Sequence, residues 1–415
     1  MKVAVSDSVA APALPFWRTL GGAAHRPLFL AGAFQAVLTM LWWGADLESR
    51  LAGWPALPSP LIAPAAAHAW LILYGFFPVF MFGFLFTALP NWVNGRPIVR
   101  RTYLTTGLAM AIGAALFYPA LYLPGLMPFA VLLHGLGWAV GLLALFRALR
   151  LSPAGDKRQP WVCVLAVLAG WLGALAFLLW LTFGEPVWLR LAEKLAVWGF
   201  LTPLMLAVCH RMIPFFTSRV VANYVVVRPY RPLWVMLAAC LAHAALEVAE
   251  RPHWTWPGDL LMSGLSFWFI AHWGIAHAFK VRLLAMLHVA FVWTGLAFLL
   301  FGLDSLGGFL ELGGLGLAPL HTRGIGFFAA MLVGMASRVS LGHSGRPLEA
   351  DGYTWALFWL VQAAALPRLL PELFPGIMPY RLVSLAALLW LIAFGAWTWK
   401  FAPYYWRPRV DGKPG

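Results

Sequence analysis

Charge is scarce in this chain. Of 415 residues only 15 are Asp or Glu, and 11% are charged at all. A soluble globular protein carries roughly 25%, so an ordinary water-soluble domain is excluded. The 29 Lys and Arg leave a net charge of +14, but they form no patch or arm, which argues against a nucleic-acid partner. Cysteine is equally sparse: Cys163, Cys209 and Cys240 stand in or beside apolar runs, with no CxxC pair. That pattern fits neither a disulfide framework nor a thiolate zinc site, and marks the three as small buried residues. No polar stretch is long enough to form a separate soluble domain. Residues 1–26 carry Lys2, Asp7, Arg18 and Arg26 but no apolar core of a signal peptide, so insertion is expected to rely on the first helix itself. The short alternating segments of a membrane β-barrel are missing as well.

What the chain has is hydrophobicity. Apolar residues make up 62% of it, with a mean hydropathy of +0.79. The 24 Trp suit the headgroup level of a bilayer, where indole rings accumulate. Apolar runs bounded by charge and Pro/Gly clusters fall near 27–44, 66–90, 103–123, 127–147, 161–183 and 191–211, then near 232–249, 261–279, 283–303, 317–338, 354–371 and 381–401. Most have the length needed to cross about 30 Å of hydrocarbon as a helix. The expected fold class is therefore all-α: a polytopic integral membrane protein of about twelve transmembrane helices in a lipid bilayer. Residues 1–26 precede the transmembrane domain, 27–401 form it, and 402–415 are a tail.

The connections give an independent check. Arg96, Arg100 and Arg101 fall in one loop; Arg147, Arg150, Lys157 and Arg158 in the second loop after it; then come Arg211, Arg219, Arg228 and Arg231, then Lys280 and Arg282, then Lys400, Arg407, Arg409 and Lys413. The intervening loops are poor in Lys and Arg, and one of them holds Glu247, Glu250, Arg251 and Asp259. Basic residues in every second loop set orientation, which puts both termini in the cytoplasm. The connections at 338–353 and 368–381 have mixed charge.

Polar groups inside a membrane are costly and mark function. Of eleven His, most lie in or beside the apolar runs. The topology places His68, His134, His243 and His321 in the outer part of the bilayer and His272 near its middle. His210, His277, His288 and His343 fall toward the cytoplasm. Neutral imidazole ligates haem iron and copper. His68 opens the second run and His321 the tenth, so the two can clamp a haem if their helices are neighbours. For any single His the plain alternative is a hydrogen bond to a carbonyl or a Ser/Thr hydroxyl. Acids are the counterpart: no run has one at its centre, which lowers the expectation of an ion-coupled transporter, and the runs show no obvious internal repeat. Arg211–Arg219 ends the sixth run and Ser337–Arg346 the tenth. Arginines there can grip anionic groups, or simply snorkel to the interface.

At several places the sequence resembles the NnrS family of bacterial membrane proteins. The segments are Gly83–Gly95 (GFLFTALPNWVNG), Arg211–Arg219 (RMIPFFTSR), Leu287–Trp293 (LHVAFVW), His321 through Arg346 ending in SRVSLGHSGR, and the early His25-Arg26-Pro27-Leu28-Phe29. They come in the family's order and cover most of the chain. The resemblance implies a twelve-span haem- and copper-containing protein of the bacterial inner membrane linked to nitric oxide and nitrosative stress, with a layout similar to haem-copper oxidase subunits. It implies His68, His288, His321 and His343 as ligands, with Arg211, Arg338 and Arg346 as the matching arginines. One departure stands out: where the family commonly shows His-x-His-Glu at the start of the second span, this chain reads His68-Ala69-Trp70-Leu71. That keeps the first His, loses the second His and the acid, and puts the copper site in doubt. The expectation is a haem protein of the nitric oxide response, with an electron donor or respiratory-chain partner. Against it stand a cofactor-free transporter and a membrane subunit of a respiratory complex.

Overall fold

A computed structural model describes residues 16–413 apart from 52, 54–56, 375 and 378. The ends of the two terminal segments, 1–15 and 414–415, lie outside the described residues. The described chain is all-α. Twelve helical rods run back and forth: α1 (His25–Leu51), α2 (Pro64–Trp92), α3 (Arg100–Ala120), α4 (Leu126–Arg150), α5 (Arg158–Phe183), α6 (Pro186–Ser218), α7 (Tyr230–Val248), α8 (Trp256–His272), α9 (Arg282–Phe309), α10 (Ala318–His343), α11 (Gly352–Leu373) and α12 (Pro379–Trp406). Helix is what a continuous apolar run must adopt where water is absent, because each backbone group then bonds within its own segment. Ten rods are long and apolar enough to cross a membrane. The other two are α8, with 17 residues or about 25 Å of helix, and α11, which has Pro367 and Pro371 inside it.

Two boundaries differ from the apolar runs. Rod α1 continues to Leu51 because Arg50 closes onto Asp46 one turn back, Nη2 to Oδ2 at 2.6 Å. Rod α8 sits earlier than the run near 261–279. It ends before Gly274, whose φ of +85° suits glycine and turns the chain. At its start it takes in Asp259, which the charge pattern assigns to a loop but which is fully buried.

The rods fall into three quartets. Rods α2, α6 and α10, the second of each quartet, are the most buried of the ten apolar rods. Each has a proline in its first turn (Pro64, Pro186, Pro319). Each also contains a stretch of π-helix: Leu71–Phe76, Leu195–Leu201 and Thr322–Ala329. There Phe77, Thr202 and Ala330 donate their N–H to the carbonyl five residues back, of Ile72, Val197 and Ile325. Around these inner rods α4 packs on α5, α8 on α9, and α12 on α1, closing the ring. The sequence showed no repeat, since the quartets share architecture and not residues. Rods α3 and α4 meet backbone to backbone: a Cβ on Gly113 would stand 2.6 Å from the His134 nitrogen and 2.7 Å from the Ala130 oxygen. Those atoms cannot swing aside, so Gly113→Val is expected to cost about 1–3 kcal/mol, toward the upper end. A thermal midpoint in detergent equal to wild type would contradict this.

The start of α1 and the end of α12 meet at one end of the bundle, called the terminal end below, where Arg26 donates to the carbonyls of Tyr405 and Arg407. Also here Asp351 caps α11, accepting from the Thr354 N–H at 2.9 Å, and takes Lys400 Nζ at 2.6 Å. Burial pushes the Asp351 carboxyl up, but Lys400 and Thr354 outweigh it and bring it down to about 2. A depressed carboxylate stabilises the fold above its unfolded pKa of about 3.9 and loses that contribution as pH falls through the folded value. Asp351→Asn is expected to lower the midpoint slightly at pH 7, the carboxylate being largely exposed and screened. The difference from wild type should close between about pH 4 and pH 2; a gap that widens on acidification would contradict it.

Candidate functional site

At the opposite, far end, α2 and α10 begin alike. Proline suits a first helical turn, where its missing N–H has no partner to lose. One turn after Pro64 stands His68, its ring stacked on Trp43 of α1 at 4.3 Å between centroids and 21° between planes. Its Nδ1 is buried with no hydrogen-bond partner. In α10, His321 follows Pro319, with Nδ1 3.0 Å from the Leu317 carbonyl. A carbonyl only accepts, so Nδ1 carries the proton, and Nε2 of the neutral ring is a free lone pair. His68, His321 and Arg368 of α11 lie within electrostatic reach of one another. Arg368 is held by Glu372 at 2.9 Å.

The remaining sequence candidates lie at the terminal end. His288, early in α9, has Nε2 3.2 Å from Thr217 Oγ1, whose own hydroxyl donates to the Ile213 carbonyl. His343 packs beside His25 with 4.4 Å between ring centroids. Arg211 donates to Gln159 Oε1 at 3.1 Å and lies over the Trp92 ring. Arg338 lies 4.0 Å over Phe216, and Arg346 3.8 Å over Tyr404. Arg338 is 17 residues beyond His321 on one rod, about 25 Å away. The structure thus places His68 and His321 at the same end and within electrostatic reach, and leaves His288, His343 and the three arginines in separate environments at the other end. Trp70, which stands in place of a second His, is buried against Phe117 with ring centroids 3.9 Å apart.

A second far-end cluster escaped the sequence reading. Asp259 in α8 accepts from His243 Nδ1 of α7. His243 Nε2 faces Glu247 one turn on, and Glu247 Oε1 takes Lys194 Nζ of α6 at 2.7 Å. The His243 ring stacks on Trp198 at 3.5 Å, and Arg323 of α10, fully buried, lies 4.0 Å from the centroid of the same indole. Arg323 donates to Thr202 Oγ1, while its Nε and Nη2 have no partner. The spacing of His243 and Glu247, four residues apart, puts both on one helix face and was the available signal. Among the described residues no group of three or more His, Cys, Asp or Glu is placed to hold a metal ion.

These features define a polytopic all-α membrane protein whose polar chemistry gathers at the ends of three inner rods. The family model described as NnrS protein matches residues 19–409. The chain belongs to the NnrS family. A comparison with curated proteins returns no match.

Proposed function

We propose that this is a haem-carrying membrane protein of the NnrS type that handles nitric oxide, with the haem iron ligated at the far end by His68 and His321. The observation that carries this reading is the placement of two histidines at one end of the bundle. Two histidines at the entrances of inner rods α2 and α10 lie within electrostatic reach, one with a buried nitrogen lacking a partner and the other held in the tautomer that leaves Nε2 free. Those residues fit the group. Trp43 holds the His68 ring in place, the Leu317 carbonyl orients His321 as an outer partner does for a metal ligand, and Arg368 offers positive charge to an anionic edge. A haem held there by His68 and His321 would supply a redox-active iron suited to electron transfer, and would take nitric oxide where one of the two histidines gives way to it. Support for copper is weaker: Trp70 supplies no imidazole where the resemblance implies a second His, and among the described residues no group of three or more His, Cys, Asp or Glu is placed to hold a metal ion.

The basic residues support a cytoplasmic terminal end in the bacterial inner membrane: Arg96, Lys157, Arg219, Arg228 and Lys280 all lie in terminal-end connections, whereas 121–125 at the far end has no Lys or Arg. The far end then faces away from the cytoplasm. The test is an optical spectrum of detergent-purified protein, oxidised and dithionite-reduced, before and after nitric oxide, with iron analysis on the same sample. A Soret band that shifts on reduction is expected, with a further shift when nitric oxide displaces one of the two histidines. A colourless, iron-free protein from haem-supplemented cells would overturn the reading.

A permease is the second reading, favoured by one finding: Asp259 is a fully buried carboxylate between rods, the kind of group that transporters use. Colour separates the two.

A further inference from the structure

The haem reading makes no use of a second place where α2, α6 and α10 meet. Beyond their π stretches the three inner rods, together with α1, enclose a small cavity of about 30 Å3. Met81 of α2, Met205 of α6 and Met331 of α10 line it, 17, 19 and 13 residues into rods of 29, 33 and 26 residues. The cavity therefore lies near mid-depth of the bundle, level with the hydrocarbon centre of a bilayer. Met81 is 13 residues beyond His68 on one rod, about 20 Å away, so this is not the haem site.

Lining and size decide what it holds. Every side chain that lines it is apolar. A buried water needs about two to four polar partners and finds none here. Thioethers ligate soft cations, but no anionic side chain lines the cavity to offset a charge taken out of water. One water-sized molecule needs roughly 10–15 Å3 of such space. The cavity thus admits a guest of about two heavy atoms and excludes ordinary organic ligands. Its walls are held apart. Phe29 and Phe80 line it with ring centroids 5.1 Å apart, and each ring is backed by a glycine. Phe80 lies on Gly32 of α1, and Phe29 on Gly83 of α2, where a Cβ would stand 2.7 Å from the ring. Phe80 also meets Trp397 edge-on.

An apolar gap with fixed walls forfeits dispersion contacts while it is empty, and dry cavities of this kind take up apolar guests such as xenon. The polarizable methionines strengthen that attraction. We infer that this cavity is a binding site for an uncharged diatomic gas, which the apolar interior of the bilayer supplies. Phe84, the one lining residue that is only half-buried, marks the side of entry. Nitric oxide is a gas of this class. That it is the guest in the cell rests on the haem reading; the site itself does not.

Xenon is the probe. Crystals of the full-length protein are pressurised with it, and the anomalous difference map is compared with the map of unpressurised crystals. One xenon peak is expected between Met81, Met205 and Met331, with no ordered water there in its absence. Ala336 lines the same cavity, and Ala336→Leu should fill the gap and abolish the peak. Because a larger core side chain can also disturb folding, Val208→Ala is the second variant. It only removes atoms from the wall and should keep the peak or strengthen it. No peak in the wild type, a peak that persists in Ala336→Leu, loss of the peak in Val208→Ala, or ordered water in the unpressurised cavity would each overturn the inference. The readout needs no haem: a colourless protein with the xenon peak would overturn the haem reading and uphold this one.

Discussion

His321→Ala is expected to strip the purified protein of haem, and His68→Ala to do the same, while His288→Ala and His343→Ala leave haem content unchanged. The contrast follows from placement. His68 and His321 lie within electrostatic reach at the far end, whereas His288 is bonded to Thr217 and His343 packs on His25 at the terminal end. Losing an outer partner of a metal ligand alone costs about 10–100-fold in affinity, so removing a ligand should weaken haem binding by at least that much and lower haem per protein. Pyridine haemochrome assays on the four variants check it. Full haem in His321→Ala with loss in His343→Ala would move the site to the other end of the bundle.

The second large effect is expected from Asp259→Ala. This carboxylate is fully buried, accepts both contacts from His243 Nδ1, and lies within electrostatic reach of Arg323. Arg323 already has two nitrogens without partners. Without Asp259 the His243 Nδ1–H is stranded and Arg323 loses a nearby negative charge, and breaking a buried pair such as His243–Asp259 from one side costs about 3–5 kcal/mol. Loss of monodispersity on heating in detergent, followed by size-exclusion chromatography, is the readout. If electrostatics cause the loss, Asp259→Ala combined with Arg323→Leu should recover part of it, because the stranded cation is gone. A double variant less stable than Asp259→Ala alone would assign the effect to packing around Trp198.

Much of this architecture could be read from the sequence, because a bilayer imposes it. Twelve apolar runs gave the positions of twelve rods, and the alternation of basic loops gave the level of most histidines; His272, expected near the middle of the bilayer, is the last residue of α8 at the terminal end, because that rod begins earlier than its apolar run. His68 and His321 were matched in depth because even-numbered rods start at the same end. That their rods approach one another is a tertiary fact that no local pattern carries. Asp259 was misplaced for a physical reason. A charged residue at the start of an apolar run resembles a loop residue until its partner is known, and His243 sits on another rod. The quartets were hidden because the residues just before the three π stretches, Trp70, Lys194 and His321, have different side chains. The family resemblance, carried by segments such as Arg211–Arg219 and Ser337–Arg346, was borne out over residues 19–409.

The π stretches have a consequence for how the inner rods tolerate change. Each accommodates one residue more than an α-helical turn would, and one residue is about 100° of rotation about a helix axis. The two halves of α2 are therefore set at different azimuths. Its far-end half turns His68 to Trp43 and, within the stretch, Tyr74 to the Ala192 carbonyl of α6, while its lower half presents Phe80 to Phe29. Deleting a single residue from Leu71–Phe76 would leave a continuous hydrogen-bonded helix and swing His68 more than a quarter-turn away from its partners. The length of an inner rod is thus as much a part of its information as its composition, and frame-preserving deletions there would unseat the site while keeping every one of its side chains.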